Sequence, residues 1–236
     1  MSEERGGRLI APLEVPALVM VPATMVACVL GDVRATAGLT LLVATLAVLL
    51  MLASFERSRP LMRQLMPTVV LAAIAAAGRM LFSPFADIKP VSAICIVAGA
   101  ALGRRSGFVT GALAALTSNF FFGQGPWTPW QMYAWGLMGY LAGVLGEHGL
   151  LKSNGIVYAF GLVSGLLYGA ILNSWHVLGF VRPLNLQTAI AAYAAGLPLD
   201  VTHGVATAVF LLVIWGPWRR SIARVVHKYG LGERRS

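Results

Sequence analysis

Gly123-Gln124-Gly125-Pro126-Trp127-Thr128-Pro129-Trp130-Gln131-Met132 stands between two apolar runs, directly after Asn119-Phe120-Phe121-Phe122. Pro126 and Pro129 each lack an amide donor, and a proline ring clashes with the preceding turn of a helix interior. The stretch therefore reads as a rigid turn between two helices. Its tryptophans suit a membrane–water boundary, where the indole body lies in apolar surroundings and its N–H meets polar ones. Two roles fit such a turn: an interfacial anchor loop, or a lid or wall over a ligand site.

Composition makes the flanking runs membrane spans. Apolar residues are 58% of the chain and charged ones 11%, against roughly a half and a quarter in soluble domains. Eight apolar segments can be drawn, at about 13–31, 37–54, 65–82, 90–103, 107–122, 130–146, 155–176 and 197–217. Several approach the ~20 residues that cross a hydrocarbon core. A closed barrel needs short alternating strands, and the pattern has none. The expected fold class is an all-α polytopic membrane protein. Arg104-Arg105-Ser106 makes segments four and five a tight hairpin. The first segment lacks the usual small-residue cleavage site and reads as a retained helix, not a signal peptide.

The net charge of +9 does not point to nucleic acid, because the basic residues sit in short connections and in the C-terminal tail. With the N-terminus in the cytoplasm, Arg5, Arg8, Arg57, Arg59, Arg63, Arg104, Arg105, Lys152, Arg219, Arg220, Arg224, Lys228, Arg234 and Arg235 lie inside. Only Arg34, Lys89 and Arg182 lie outside, which fixes the expected orientation by the positive-inside rule. Both termini are then cytoplasmic. The tryptophan-rich turn, Ser83–Lys89 and the 177–195 connection face outward. Cys28 and Cys95 lie within apolar runs, as small buried hydrophobes do, and no metal-ligand spacing or cofactor motif occurs. Gly149-Leu150-Leu151-Lys152-Ser153 only echoes a phosphate-binding loop, so energy for any movement comes from a partner.

The first two segments look separable from the rest. Anchoring or packing is their expected role, without ligand contacts. The expected units are a two-helix extension over 1–60, a six-helix substrate-binding domain over 61–218 and a basic cytoplasmic tail over 219–236. In the six-helix unit, glycines recur at close spacing, as in Gly99, Gly103, Gly107 and Gly111 or Gly161, Gly165 and Gly169. Small residues on one face let helix backbones approach closely.

Ionisable residues within a membrane are costly and commonly face a cavity or partner. Asp200 and His203 share a helical face, as do Asn173 and His176. These four lie toward the outer half of the bundle, with Asn119, Gln124 and Gln131. Together they suggest a polar pocket open to the outside, walled by Phe120, Phe121, Trp127, Trp130 and Trp175. Arg79, near the outer end of the third segment, either snorkels to the headgroups or serves that pocket. Asp87 and Lys89 read as a solvated local pair or as ligand contacts. The candidate substrate-binding set is Arg79, Lys89, Asn119, Gln124, Trp127, Trp130, Gln131, Asn173, His176, Asp200 and His203. Two further readings are open: an intramembrane hydrolase using Ser164 and His203, and a structural membrane assembly factor.

Region 65–217 resembles the substrate-binding (S) components of energy-coupling factor (ECF) vitamin transporters. The resemblance rests on Arg79-Met80-Leu81-Phe82 with Ile88-Lys89-Pro90-Val91, on Gly99-Ala100-Ala101-Leu102-Gly103 with Gly107-Phe108 and Gly111, on Ser118 through Met132, and on Asp200-Val201-Thr202-His203. The aromatic motif is most like the cobalamin-type subgroup. The resemblance implies capture of a vitamin without catalysis, in a plasma membrane complex with a transmembrane coupling subunit and two cytoplasmic ATPases. It also implies toppling of the bundle within the membrane, and an Ala-x-x-x-Ala surface toward the coupling subunit. Ala72 with Ala76, and Ala73 with Ala77, fit that spacing. The two extra N-terminal helices depart from the family's six-helix form.

Overall fold

The computed structural model describes residues 11–30, 36–58 and 62–229. Arg5, Arg8, Arg34, Arg59, Arg234 and Arg235, and the expected boundary at residue 60, lie outside the described residues. Among the described residues, eight α-helices follow in order: α1 (Glu14–Leu30), α2 (Thr36–Arg57), α3 (Met62–Leu81), α4 (Val91–Leu102), α5 (Arg104–Phe122), α6 (Trp127–Glu147), α7 (Asn154–Phe180) and α8 (Leu186–Tyr229). Among the described residues there is no strand. Thr36–Arg57, Asn154–Phe180 and Leu186–Ile222 are long and apolar enough to cross a membrane, and Glu14–Val29, Leu65–Leu81 and Val91–Leu102 are shorter apolar helices. The architecture is that of an all-α polytopic membrane protein.

The short α4 is the axis of the bundle. Its residues Val91 to Gly99 are all buried, and α3, α5, α6, α7 and α8 pack around it. A helix apolar on every side belongs in such a centre. Backbones of α4, α5 and α6 meet at three glycines. A Cβ on Gly99 would lie 1.9 Å from the Gly139 carbonyl oxygen, and one on Gly139 would lie 2.2 Å from that of Gly107. Helices α7 and α8 meet the same way, with Gly165 against Gly204.

Several boundaries differ from those the sequence suggests. The tryptophan-rich stretch is mostly helix: only Gly123 to Pro126 form the turn, and α6 begins at Trp127. Pro129 is tolerated because it falls in the first helical turn, where amides have no intrahelical partner anyway. The α4–α5 hairpin turns on Gly103 alone, at φ 93°, and Arg104-Arg105-Ser106 is already the first turn of α5. The expected 177–195 connection shrinks to residues 181–185, and α8 starts at Leu186. Asn185 caps it: the Thr188 amide donates to Asn185 Oδ1 at 2.9 Å, and the Asn185 amide donates back to Thr188 Oγ1 at 3.2 Å. The alanines of 189–195 then carry the helix forward. The basic segment after residue 218 continues α8 as far as Tyr229.

Helices α1 and α2 lie against α5, α6 and α7. The Tyr133 hydroxyl on α6 donates to the Leu18 carbonyl at 2.6 Å. At the basic end, Glu14 is fully buried. Its carboxylate takes Arg105 Nε at 2.5 Å and Tyr140 OH at 3.2 Å, lies 3.7 Å from Arg104 Nε, and accepts the Ser54 hydroxyl. One carboxylate thus ties the extension to α5 and α6. Arg104 and Arg105 are 37% and 22% exposed, so removing Glu14 costs less than the ~3–5 kcal/mol of a wholly buried pair. It also takes the acceptor from the Ser54 and Tyr140 hydroxyls, at about 1–3 kcal/mol for each group left unsatisfied. Glu14→Ala is therefore expected to lower the melting temperature of the purified protein strongly, with Glu14→Gln intermediate; melting in detergent at matched concentration reads this.

The two alanine pairs of α3 face opposite ways. Ala72 and Ala76 are buried within the bundle, whereas Ala73 and Ala77 are exposed beside Val69, Val70 and Ile74. Ala72 and Ala76 are therefore bundle-packing residues, and only the Ala73/Ala77 pair presents a surface.

Candidate ligand site

The turns α3–α4, α5–α6 and α7–α8 gather at one end of the bundle, opposite the Glu14 end. Arg79, in the last turn of α3, points inward there. Its Nη1 donates to Ser118 Oγ at 2.7 Å and to Asn119 Oδ1 at 2.6 Å. Snorkelling, one of its two expected roles, is not what the side chain does. Because Asn119 Oδ1 accepts from Arg79, its amide nitrogen is turned toward α6, donating to Gln131 Oε1 at 2.8 Å and Thr128 Oγ1 at 3.0 Å. Thr128 in turn donates to Gln124 Oε1 at 2.9 Å. Asn119 and Ser118 are fully buried, so this network satisfies polar groups that water cannot reach.

A run of planar groups crosses the same region. The Arg79 guanidinium lies 4.7 Å from the Phe122 ring centroid and 4.9 Å from that of Trp135. Trp135 stacks on Tyr168 at 4.9 Å, and Tyr168 on His203 at 4.7 Å. The Gln131 side chain reaches the Tyr168 hydroxyl. His203 is buried, with Nε2 2.8 Å from Ser92 Oγ and Nδ1 3.7 Å from Asp87 Oδ1. One turn earlier on α8, Asp200 accepts from Asn173 Nδ2 at 2.9 Å. A Cβ on Gly169 would overlap the Asp200 carboxylate.

The α3–α4 turn covers this cluster. Asp87 holds it at φ 52°, a left-handed conformation that aspartate visits more readily than most residues. The expected local pair of Asp87 and Lys89 is replaced by two separate contacts. Lys89 Nζ donates to the Phe82 carbonyl at 2.7 Å and to that of Phe85, while Asp87 faces His203. Desolvation draws the Lys89 ammonium below its ordinary range, against the pull of Asp87.

Arg79, Asn119, Gln131, Asn173, Asp200 and His203 are thus brought to one end and linked, directly or through a neighbour. Other expected residues are placed differently. Phe120 and Phe121 are 74% and 72% exposed and point away, so they form no wall. His176 is exposed and stacks on Phe180. Trp127 donates to the Gly123 carbonyl within the turn, and Gln124 is exposed there, joined to the network only at its edge through Thr128. Trp130 is fully buried, with an indole N–H that has no partner among the described residues. The proposed dyad does not form: Ser164 Oγ donates to the Gly161 carbonyl at 2.8 Å, one turn back on its own helix, and His203 Nε2 is given to Ser92.

Tyr168, Trp135 and Ser92 are not singled out by sequence, and Ser118 stands out only as the first residue of the motif running to Met132. Tyr168 and Trp135 lie in apolar helical runs where an aromatic residue is ordinarily core. A tyrosine among the glycines Gly161, Gly165 and Gly169 was the available signal.

Residues 61–219 match a family model described as ECF-type riboflavin transporter, S component. No curated protein and no solved structure matches the chain. The match covers well over half of the chain and coincides with α3 to α8, leaving α1 and α2 outside it. This is a component of a membrane transporter, the subunit that binds substrate. The chain belongs to the S-component family of ECF-type transporters that this riboflavin model describes.

Proposed function

We propose that the chain captures riboflavin at the outer face of the plasma membrane and delivers it through an importer powered by partner ATPases. The observation that carries this reading is the run of planar side chains edged by amides at one end of the bundle. Flat heteroaromatic rings bind by stacking on such faces, and amides such as Asn119 and Gln131 meet the ring's carbonyl and imide edge. The description of the matching family supports riboflavin over cobalamin, toward which the motif around Trp127 points. The distribution of lysine and arginine supports an outward-facing site and cytoplasmic termini. Mass spectrometry of small molecules extracted from the purified protein tests this. A flavin at one equivalent is expected; a corrinoid there, or no vitamin, overturns the assignment.

Coupling to the transmembrane partner falls to the exposed Ala73/Ala77 face of α3, where small side chains permit close helix approach. The extension packs on α5, α6 and α7 and leaves that face uncovered. Ala73→Trp is expected to reduce riboflavin uptake to background, in cells expressing the coupling subunits, while binding by the isolated protein is unchanged. Unimpaired uptake would move the coupling surface elsewhere.

A further inference from the structure

We propose that Tyr168 is a built-in plug: its ring occupies the stacking slot that a flat aromatic ligand takes, and leaves that slot when the ligand binds. The inference rests on the riboflavin reading above and adds to it a residue that sets both access and selectivity. Two rings lie within 5 Å of the Tyr168 centroid, Trp135 at 4.9 Å and 23° and His203 at 4.7 Å and 12°. Two near-parallel rings that close cannot share one face of a phenol without overlapping. Tyr168 is therefore sandwiched, with both faces covered. On the far side of the run, the Arg79 guanidinium already lies over Trp135 and Phe122. The inner faces of the run are taken, so a planar ligand joins it only by replacing a member.

The tethers of the members identify which one yields. Arg79 is held by Ser118 and Asn119. His203 is buried and bonded to Ser92. Trp135 is buried, and its backbone is pressed against Gly111, where a Cβ would come within 2.4 Å. Tyr168 is only partly buried, and Gln131 is the group that reaches its hydroxyl. The ring leaves by rotation about the Tyr168 Cα–Cβ bond. This rotation also releases Gln131, so that one movement opens an aromatic slot and frees an amide to bond the ligand edge. The vacated slot is one ring thick, which admits a flat tricycle and excludes a corrinoid with its axial substituents.

Opening the slot costs the two stacking contacts of Tyr168, and removing the ring removes that cost. Riboflavin titration of the full-length protein in nanodiscs, followed by flavin fluorescence, tests this. Two such aromatic pairs contribute about 1–3 kcal/mol, so Tyr168→Ala is expected to bind roughly five- to 150-fold more tightly than wild type. Tyr168→Leu, which preserves apolar volume if the alanine variant does not fold, is expected to shift in the same direction. Tyr168→Phe keeps the ring in the slot and is expected to show no such gain. Weaker or unchanged binding by the alanine and leucine variants, with wild type binding riboflavin, would overturn the plug and leave the riboflavin reading standing. Binding by these variants alone would keep the plug and sink capture by the native chain. Binding by none of them would sink both.

Discussion

Arg79→Ala is expected to lower riboflavin affinity by about a hundredfold or more, the largest loss of any single substitution at the site. The guanidinium makes charge-assisted hydrogen bonds to Ser118 and Asn119 at 2.7 and 2.6 Å. It also places a cation between Phe122 and Trp135. Without it the buried Asn119 Oδ1 loses its donor, at about 1–3 kcal/mol for a group left unsatisfied, while the Ser118 hydroxyl keeps its bond to the Ala114 carbonyl. Each 1.4 kcal/mol or so is a tenfold change in affinity. The loss spreads further, because Arg79 holds the oxygen side of the Asn119 amide whose nitrogen side bonds Gln131 and Thr128. A freed Asn119 no longer aligns Gln131 and Thr128. Arg79→Lys keeps the charge but not the planar fork that reaches both partners and stacks on the ring, so an intermediate loss is expected. Equal affinities for wild type and Arg79→Ala, measured by the same titration, would remove Arg79 from the site.

Gly139→Leu is expected to prevent assembly of the bundle altogether. The Cβ position at Gly139 is 2.2 Å from the Gly107 carbonyl oxygen, and that at Gly107 is 2.5 Å from the Gly99 Cα. The atoms that a Gly139 Cβ would meet are all backbone of Gly107 on α5, so no rotamer change makes room. Overpacking a tight core costs typically ~1–3 kcal/mol and sometimes more; forcing two helix axes apart belongs at the upper end. Total stability is only about 5–15 kcal/mol in most proteins, and α5, the helix displaced, packs directly on α4, the axis of the bundle. Gly38→Ala is the matched control, since nothing lies within 4 Å of its Cβ position on α2. Size-exclusion profiles after detergent extraction separate the outcomes: aggregate for Gly139→Leu, a wild-type peak for Gly38→Ala. A monodisperse, ligand-binding Gly139→Leu protein would mean that α5 and α6 do not approach as described.

The helical membrane architecture was legible because it depends on composition and run length, which need no knowledge of contacts. The glycine-mediated helix crossings followed from spacing alone. The turn at Gly123 is legible, but it is shorter than its prolines suggest, since proline breaks a helix interior and not a first turn. For α8 the reciprocal cap of Asn185 and Thr188 is in the sequence, but the stretch after it is less apolar than the 197–217 run and reads as connection. The site was legible only in outline. Asn119, Gln131, Asp200 and His203 stand out as polar residues in apolar runs, and their shared depth follows from topology. Tyr168 and Trp135 do not stand out, because a buried aromatic residue looks the same whether it stacks on a ligand, a cation or another ring. Glu14 escaped notice for a related reason. A carboxylate at a helix start ordinarily meets water, and only the packing of α1 against Arg104 and Arg105 buries it.

The most direct test of the central claim is an equilibrium titration of the purified full-length protein with riboflavin and, side by side, with cobalamin. Saturable binding of riboflavin at one equivalent, with cobalamin failing to compete, is the predicted result. Binding of cobalamin in preference to riboflavin, or of neither, would contradict it.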